Sequence, residues 1–525
     1  MLNGRKDLLV LRLCWSALIA LLFIAVKGYT FNGGDQEEHL PYVYRLLNPQ
    51  LYPSDYLVPY QVTHFTVRYF YAHLIAFVAG WFPVSGVVLF FHFTCLMIFT
   101  GATGALAARI ARSELAFVLA PALALLVFND WTTGGNSIMD IQLTSSVFAM
   151  ASGAVAVQIA YERKYNAMAF FAGIAALFQV LIGLQLFVVL LVVVVGINRK
   201  AFPLKEAVKS IGVFLITASP MLFPVMKQQL FSGEEYDPEL YQFILFEFRN
   251  AHHYIPSGFP KADYLRTLVI SGGATVIFLL GFFTDFRRYF FWLAATVIAG
   301  SVLYFLAFEV LGYVVIGKLQ WFKTSTWLTW TAAITLAAYL TSLRLAFKAE
   351  SLITSYGTTL PLALMLPILL FVNSGDFIHP KVAQRYQFSG KPITDLQRMH
   401  RWIHDSTSVE SVFVIPPDDD RFLCEAQRSV PVAWKGIIHE PWFLIPWYRN
   451  FKLVYGDIPP TAPMPQAAVI SYRSRPDSLM ILEVKPDFRL IDLGIPGTVV
   501  PDSLIVHREG DFVLLRFILA EPASN

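Results

Sequence analysis

Runs of apolar residues about twenty long recur along this chain, and they constrain it more than any motif does. A hydrocarbon core about 30 Å thick takes roughly 17–25 residues of helix. The runs are Leu8–Val26, Val84–Ala107, Leu115–Phe128, Leu143–Ala160, Ala167–Gln179, Leu184–Val195, Ala207–Phe223, Leu265–Phe283, Tyr289–Phe308, Thr326–Leu343 and Leu352–Val372. Of 525 residues, 56% are hydrophobic and 15% charged, whereas a soluble domain is nearer one quarter charged. Lipid must therefore be the solvent for most of the chain. The start MLNGRKDLLVLRLCWSALIALLFIAV is too long for the apolar part of a signal peptide and no small-residue cleavage site follows it, so it reads as an uncleaved first span.

The fifth and sixth runs come from one stretch, AMAFFAGIAALFQVLIGLQLFVVLLVVVVG. Gln179, Gly183 and Gln185 in its middle argue for two short helices with a break, which is tolerable where protein shields the backbone. Basic residues give the same count. Arg5/Lys6, Arg109/Arg112, Arg163/Lys164, Arg199–Lys209, Arg287/Arg288 and Arg344/Lys348 lie on short connections, and they alternate consistently if each is cytoplasmic. About eleven transmembrane helices follow, with the N-terminus inside and the C-terminus outside. Val67–Phe82 is apolar but short, and it reads as an amphipathic helix lying in the interface.

The expected fold is an all-α polytopic membrane domain over 1–374 plus a small C-terminal extracytoplasmic α/β domain over 375–525. Two further extracytoplasmic loops span 27–83 and 226–264. In the tail, Asp395–His404 has helical periodicity. Ser411–Ile415, Ala467–Ser471, Ser478–Val484, Leu504–His507 and Phe512–Phe517 read as strands between turn residues. Net charge is only +3, which carries no nucleic-acid signal. Three cysteines imply neither a disulfide framework nor a zinc site. No Walker loop, HExxH or CxxC signature occurs.

Chemistry concentrates in the loops. The first opens FNGGDQEEHLPYVYRLLNPQLYPSDYL, with Asp35, Glu37, Glu38 and His39 just beyond the first span and Asp55 further on. Gly33 and Gly34 allow close approach to the backbone there. FEFRNAHHYIP supplies Arg249, His252 and His253, and GKLQWFKTSTW supplies Lys318 and Lys323. A bland reading accompanies each: a solvated acidic loop, an aromatic interfacial anchor for the histidines, snorkelling at a helix end for the lysines. Topology puts all of them on one face. Gln179 and Gln185 read as hydrogen bonding between helices. The tail segment CEAQRSVPVAWKGIIHEPWFLIPWYRN reads equally well as a surface docking on the loops, as an acceptor-sugar site and as domain core.

The succession resembles the GT-C superfamily of membrane glycosyltransferases. The matching pieces are the DQEEH stretch after the first span, FYAHLIAFVAGWF, the span VSGVVLFFHFTCLMIFTGATGALAARIAR and the tail entry KPITDLQRMHRWIHDSTSVESVFVIPP. More closely the chain is similar to bacterial membrane proteins that share GDQEEHLPYVYRLLNPQLYPSDY, FRNAHHYIP and AQRSVPVAWKG. The resemblance implies a bacterial inner-membrane enzyme. It would move a sugar from a polyprenyl-phosphate or diphosphate donor to a hydroxyl of a glycan, lipid or protein acceptor at the outer face.

On that reading Asp35, Glu37 or Glu38 supplies the general base. Asp55, His39, Arg249, His252, His253, Lys318 and Lys323 bind substrate, and Asp35 with His252 and His253 would hold a divalent metal such as Mg or Mn, if one is used. Asp-Gln-Glu-Glu replaces the Asp-Glu of many members, which leaves the working acid open among the three. Two other classes stay open: a transporter or flippase for lipid-linked sugars, and a non-catalytic scaffold of the same fold. Transporters usually carry ionisable groups mid-membrane, whereas here His92 and the glutamines are the main polar groups in the spans.

Overall fold

Each apolar run of the sequence contributes a helix, and the breaks fall where polar or conformationally special residues interrupt it. The computed structural model describes residues 5–130, 132–198, 202–231, 235–343, 346–378, 385–458, 472, 485–494 and 500–517. Among them six helices are long and apolar enough to cross a membrane: Lys6–Lys27, Val84–Ala111, Val180–Ile197, Leu204–Gln228, Lys261–Leu279 and Thr284–Val310. Shorter apolar helices occupy Glu114–Val127, Ser145–Tyr161, Tyr165–Phe178 and Thr359–Leu370, and Ser325–Thr341 forms a further helix. The outward faces are apolar, with Ile216 and Leu279 each 75% exposed, as lipid-facing side chains would be. The expected class, a helical membrane domain with a small sheet near the C-terminus, is the one observed.

The long apolar stretch divides at Gln179, whose backbone is extended between helices Tyr165–Phe178 and Val180–Asn198. The two helices meet closely: a Cβ on Gly183 would lie 2.1 Å from the backbone nitrogen of Ala176. Only glycine permits that approach. Gln185 donates from Nε2 to the carbonyl oxygens of Leu319 and Gln320, so this amide serves packing. Helix Tyr69–Ala79 has 11 residues. At 1.5 Å per residue it is about 16 Å long, half a hydrocarbon core.

The chain clusters into two compact units. One comprises residues 1–29, 89–228 and 250–378, the other 30–88, 229–249 and 379–525. The first is helical. In its core Trp330 packs with Phe99 and Trp327 and donates from Nε1 to Thr103 Oγ1 at 3.1 Å. Arg12 grips Glu114 bidentately, Nη2–Oε1 2.6 Å and Nε–Oε2 3.0 Å. Glu350 accepts from the backbone nitrogens of Glu114 and Leu115, filling part of the donor deficit at that helix start.

The second unit gathers three separate segments. Its four-stranded sheet has the order β1 (Phe413–Val414), β2 (Phe488–Asp492), β4 (Phe512–Arg516), β3 (Ile505–Glu509). β1 and β2 are parallel, and the other pairs are antiparallel. Helix Asp395–Ser406 starts in a capping box formed by Thr394 and Gln397. It buries Met399, His400 and Ile403. Strand β2 was not among the expected strands. It is buried along almost its whole length, so it lacks the alternation that marks a half-exposed strand. The expected strands Ala467–Ser471 and Ser478–Val484 lie outside the described residues.

Candidate functional site

The acidic motif forms a short 3-10 helix, Gly34–Glu38. Three residues per turn eclipse side chains i and i+3, so Asp35 and Glu38 share one face while Gln36 and Glu37 turn inward. Gln36 and Glu37 are fully buried, whereas the Asp35 side chain is 53% exposed. The loop is anchored from both sides of the turn. Gln36 Oε1 accepts from the backbone nitrogen of Asn32 at 2.8 Å. Glu37 Oε1 accepts from that of Leu423 at 2.5 Å. The close approach foreseen at Gly33 is made by the chain itself: a Cβ there would sit 2.7 Å from Arg421 Cζ.

On the outward face the acids meet cations. Lys435 Nζ donates to Asp35 Oδ1 at 2.7 Å. Glu38 Oε2 pairs with Arg68, whose guanidinium also donates to the Ile437 carbonyl at 3.1 Å. Arg249 stacks on Trp434, with Cζ 4.4 Å from the ring centroid. Burial pulls Arg249 below its ordinary value, against the fields of Glu38 and Asp35. Burial alone would push Glu38 up; Arg68, His39, Arg249 and Lys435 outweigh it and hold the carboxyl at about 2. Lys435 is pulled down by burial and lifted further by Asp35, so it stays charged. Burial, with Arg68, lowers His39 to about 4, and its Nδ1 lies 2.9 Å from the Asp35 carbonyl oxygen.

Glu37 faces a second, buried array. His400 bridges two carboxylates, with Nε2 2.9 Å from Asp419 Oδ2 and Nδ1 2.9 Å from Glu425 Oε2. Burial would neutralise the ring, but Asp419 and Glu425 reverse that and raise it to about 10. Burial, and then Asp419, lift Glu37 well above the carboxylate range. Its Oε2 makes no hydrogen bond among the described residues. Asp55 is buried too. Its Oδ1 accepts from the backbone nitrogens of Leu57 and Val58, both at 2.9 Å, and its Oδ2 from that of Val430 at 3.0 Å.

Lys435 and Trp434 belong to the tail segment, which packs on both loops. Tyr56 donates to the carbonyl oxygens of Lys435 and Gly436. Tyr60 donates to Glu440, and Tyr241 donates to the His439 carbonyl at 2.8 Å.

The remaining expected residues belong to the other unit. The His252 and His253 rings lie 4.0 Å apart and tilted by 45°, and His253 Nδ1 lies 3.1 Å from the Gly134 carbonyl oxygen. Lys318 caps the short helix Val314–Gly317, and Lys323 lies within the 3-10 helix Trp321–Thr324. Among the described residues no three His, Cys, Asp or Glu side chains are grouped to hold a metal ion. Asp35 is instead paired with the Lys435 ammonium group.

Of the residues expected from the sequence, Asp35, Glu38 and Arg249 lie in this acid–cation cluster, whereas Arg68, Lys435 and Trp434 were not among those expected. The missed residues lie in ordinary-looking segments, and only the long-range packing reveals them. The sole sequence signal was the density of Trp, Tyr, Arg and Lys in 424–450.

Residues 394–454, which include His400, Asp419, Glu425, Trp434 and Lys435, match a family model described as a domain of unknown function (DUF6798). No curated protein matches the chain. Among solved structures it is similar to the Archaeoglobus fulgidus oligosaccharyltransferase in the apo form, with TM-score 0.44 and 13% identity over 94% of this chain and 70% of that one. It is also similar to the archaeal oligosaccharyltransferase AglB from Archaeoglobus fulgidus in complex with an inhibitory peptide and a dolichol-phosphate. There the TM-score is 0.44 and the identity 11%, over 93% of this chain and 69% of that one.

Proposed function

We propose that the chain is a membrane glycosyltransferase of the GT-C type, with Asp35 as the general base. The observation that carries this reading is the face of the Gly34–Glu38 turn. A solvent-reachable carboxylate, Asp35, stands beside Lys435, in the compact unit that also holds Arg68 and Arg249. Acid and cations together suit transfer from a phosphate-linked donor. Asp35 takes the proton of an acceptor hydroxyl as its oxygen attacks the anomeric carbon. The leaving phosphate carries the departing electron pair, and preorganised cations stabilise that charge. Arg249, held by Trp434, offers a planar fork to phosphate oxygens. Direct displacement inverts the anomeric centre.

The donor in this reading is a polyprenyl-phosphate or diphosphate sugar reaching the site from the bilayer. Loops 27–83 and 226–264 and the tail 375–525 are extracytoplasmic, with the N-terminus cytoplasmic, in a bacterial inner membrane. The basic short connections support that orientation. The test is Asp35→Asn in membranes supplied with labelled polyprenyl-linked sugars. Loss of a positioned base should cost about 10²–10⁴-fold in transfer. Transfer at the wild-type rate would remove Asp35 from the chemistry.

A further inference from the structure

A polar cavity of about 120 Å³ opens on the sheet-bearing unit, and neither Asp35 nor Lys435 lines it. Gln397, Arg401 and His404 line one side of it. They stand at i, i+4 and i+7 on helix Asp395–Ser406, and so on one helix face. Asn32, Gly390, Cys424, Glu425 and Gln427 complete the wall. The lining is rich in amide, guanidinium, imidazole and carboxylate groups and contains no Phe, Tyr or Trp.

Formal charges at the rim already face their opposites. Arg401 Nε donates to Asp405 Oδ2 at 2.9 Å, and His404 Nδ1 lies 2.7 Å from Asp405 Oδ1. Glu425 is engaged by Gln397 at 2.8 Å, by Arg421 at 3.3 Å and by His400 at 2.9 Å. A phosphate or a zwitterion would have to break these pairs to be bound by charge. A neutral ligand bearing several hydroxyl groups needs no such exchange, because each hydroxyl both donates and accepts and so fits alternating amide and ion-paired groups. The volume equals that of about four waters at ~30 Å³ each, enough for most of one pyranose ring in a site open on one side.

Backbone geometry points the same way. Asn32 and Gln427 both adopt left-handed conformations, at φ 60° and 51°. Asparagine tolerates this readily and glutamine does not. Strain of that kind concentrates where a side chain must be aimed.

We infer that this cavity is a binding site for a neutral saccharide unit, beside the acid turn and distinct from its Asp35–Lys435 pair. The experiment uses the full-length protein in lipid nanodiscs, free of sugar-headed detergents. Saturation-transfer NMR and titration calorimetry are run with mannose, galactose and N-acetylglucosamine, and with glycine and inorganic phosphate as charged comparators. At least one sugar should bind saturably. Arg401→Ala and His404→Ala should each weaken it about tenfold, while Arg508→Ala outside the cavity should not. Should Arg401→Ala unfold, Gln427→Asn carries the same test, since asparagine suits the left-handed backbone. No saturable sugar binding, sugar binding indifferent to all three cavity variants, or preferential binding of glycine or phosphate would each overturn the assignment. Asp35-dependent transfer is read in a separate assay, so either conclusion can fail alone.

Discussion

Lys435 Nζ and Asp35 Oδ1 stand 2.7 Å apart, joined across 400 residues of sequence. This pair ties the tail to the acid turn, and its exposure sets what each partner is worth. With side chains 31% and 53% exposed, the bridge should contribute no more than about 1 kcal/mol to stability. Its larger effect should be chemical. Lys435→Ala is expected to lower transfer roughly tenfold or more while thermal unfolding barely moves. Parallel activity and melting measurements on one preparation check this. A large fall in melting temperature at unchanged transfer would assign the pair to structure.

Arg68 is different because its partner is nearly enclosed. Arg68→Ala leaves Glu38 without its principal counter-charge and the Ile437 carbonyl without its donor. Removing one side of such a pair costs about 3–5 kcal/mol. Replacing both, as Glu38→Gln with Arg68→Met, should cost less than Arg68→Ala alone. A double-mutant cycle by denaturant unfolding measures the difference.

Asp55 should behave as a local organiser of the loop. Asp55→Ala strands the backbone nitrogens of Leu57, Val58 and Val430. Lost capping and an unmet buried donor together cost about 2–4 kcal/mol. Transfer per folded molecule should be unchanged, as quantified against the fraction folded.

The pH dependence of stability has two limbs of opposite origin. Glu38 sits at about 2 when folded. Its contribution is present above the ordinary carboxylate value of about 4.5 and is lost as pH falls toward 2. His39, lowered to about 4, loses its contribution earlier, as pH falls from about 6.5 to 4. His400 is raised to about 10, so its contribution is complete below about 6.5 and declines as pH climbs toward 10. His400→Gln should flatten the alkaline limb and leave the acid one. Unfolding curves collected across pH decide it.

The orientation can be tested without any substrate. His64 is exposed in the first loop. A cysteine placed there should react with a membrane-impermeant maleimide added to intact cells. Labelling only after the cells are opened would invert the topology.

What the sequence disclosed followed from local physics. The division at Gln179 was legible because polar and small residues interrupt an apolar run, and the tail helix was legible from its periodicity. Asp35 and Glu38 stood out as acids beside a span. Their opposite numbers did not, because Arg68 and Lys435 matter only through contacts whose partners are distant in sequence. His400 was hidden similarly: on an amphipathic helix one histidine looks unexceptional until Asp419 and Glu425 arrive beside it. Strand β2 escaped notice because burial of nearly every residue erased its alternation.

The second unit is discontinuous, and that imposes an order in time. Asp35 is synthesised 400 residues before Lys435. At about 5–20 residues per second, the 400 intervening residues take roughly 20–80 s to make. Throughout that interval the acid turn waits without Lys435, without the amide of Leu423 that holds Glu37, and without Trp434. A chain halted before residue 394 would carry an intact DQEEH motif and no assembled acid–cation face. Assembly of this face therefore waits on the residues around Leu423, Trp434 and Lys435, long after the acid turn itself is made.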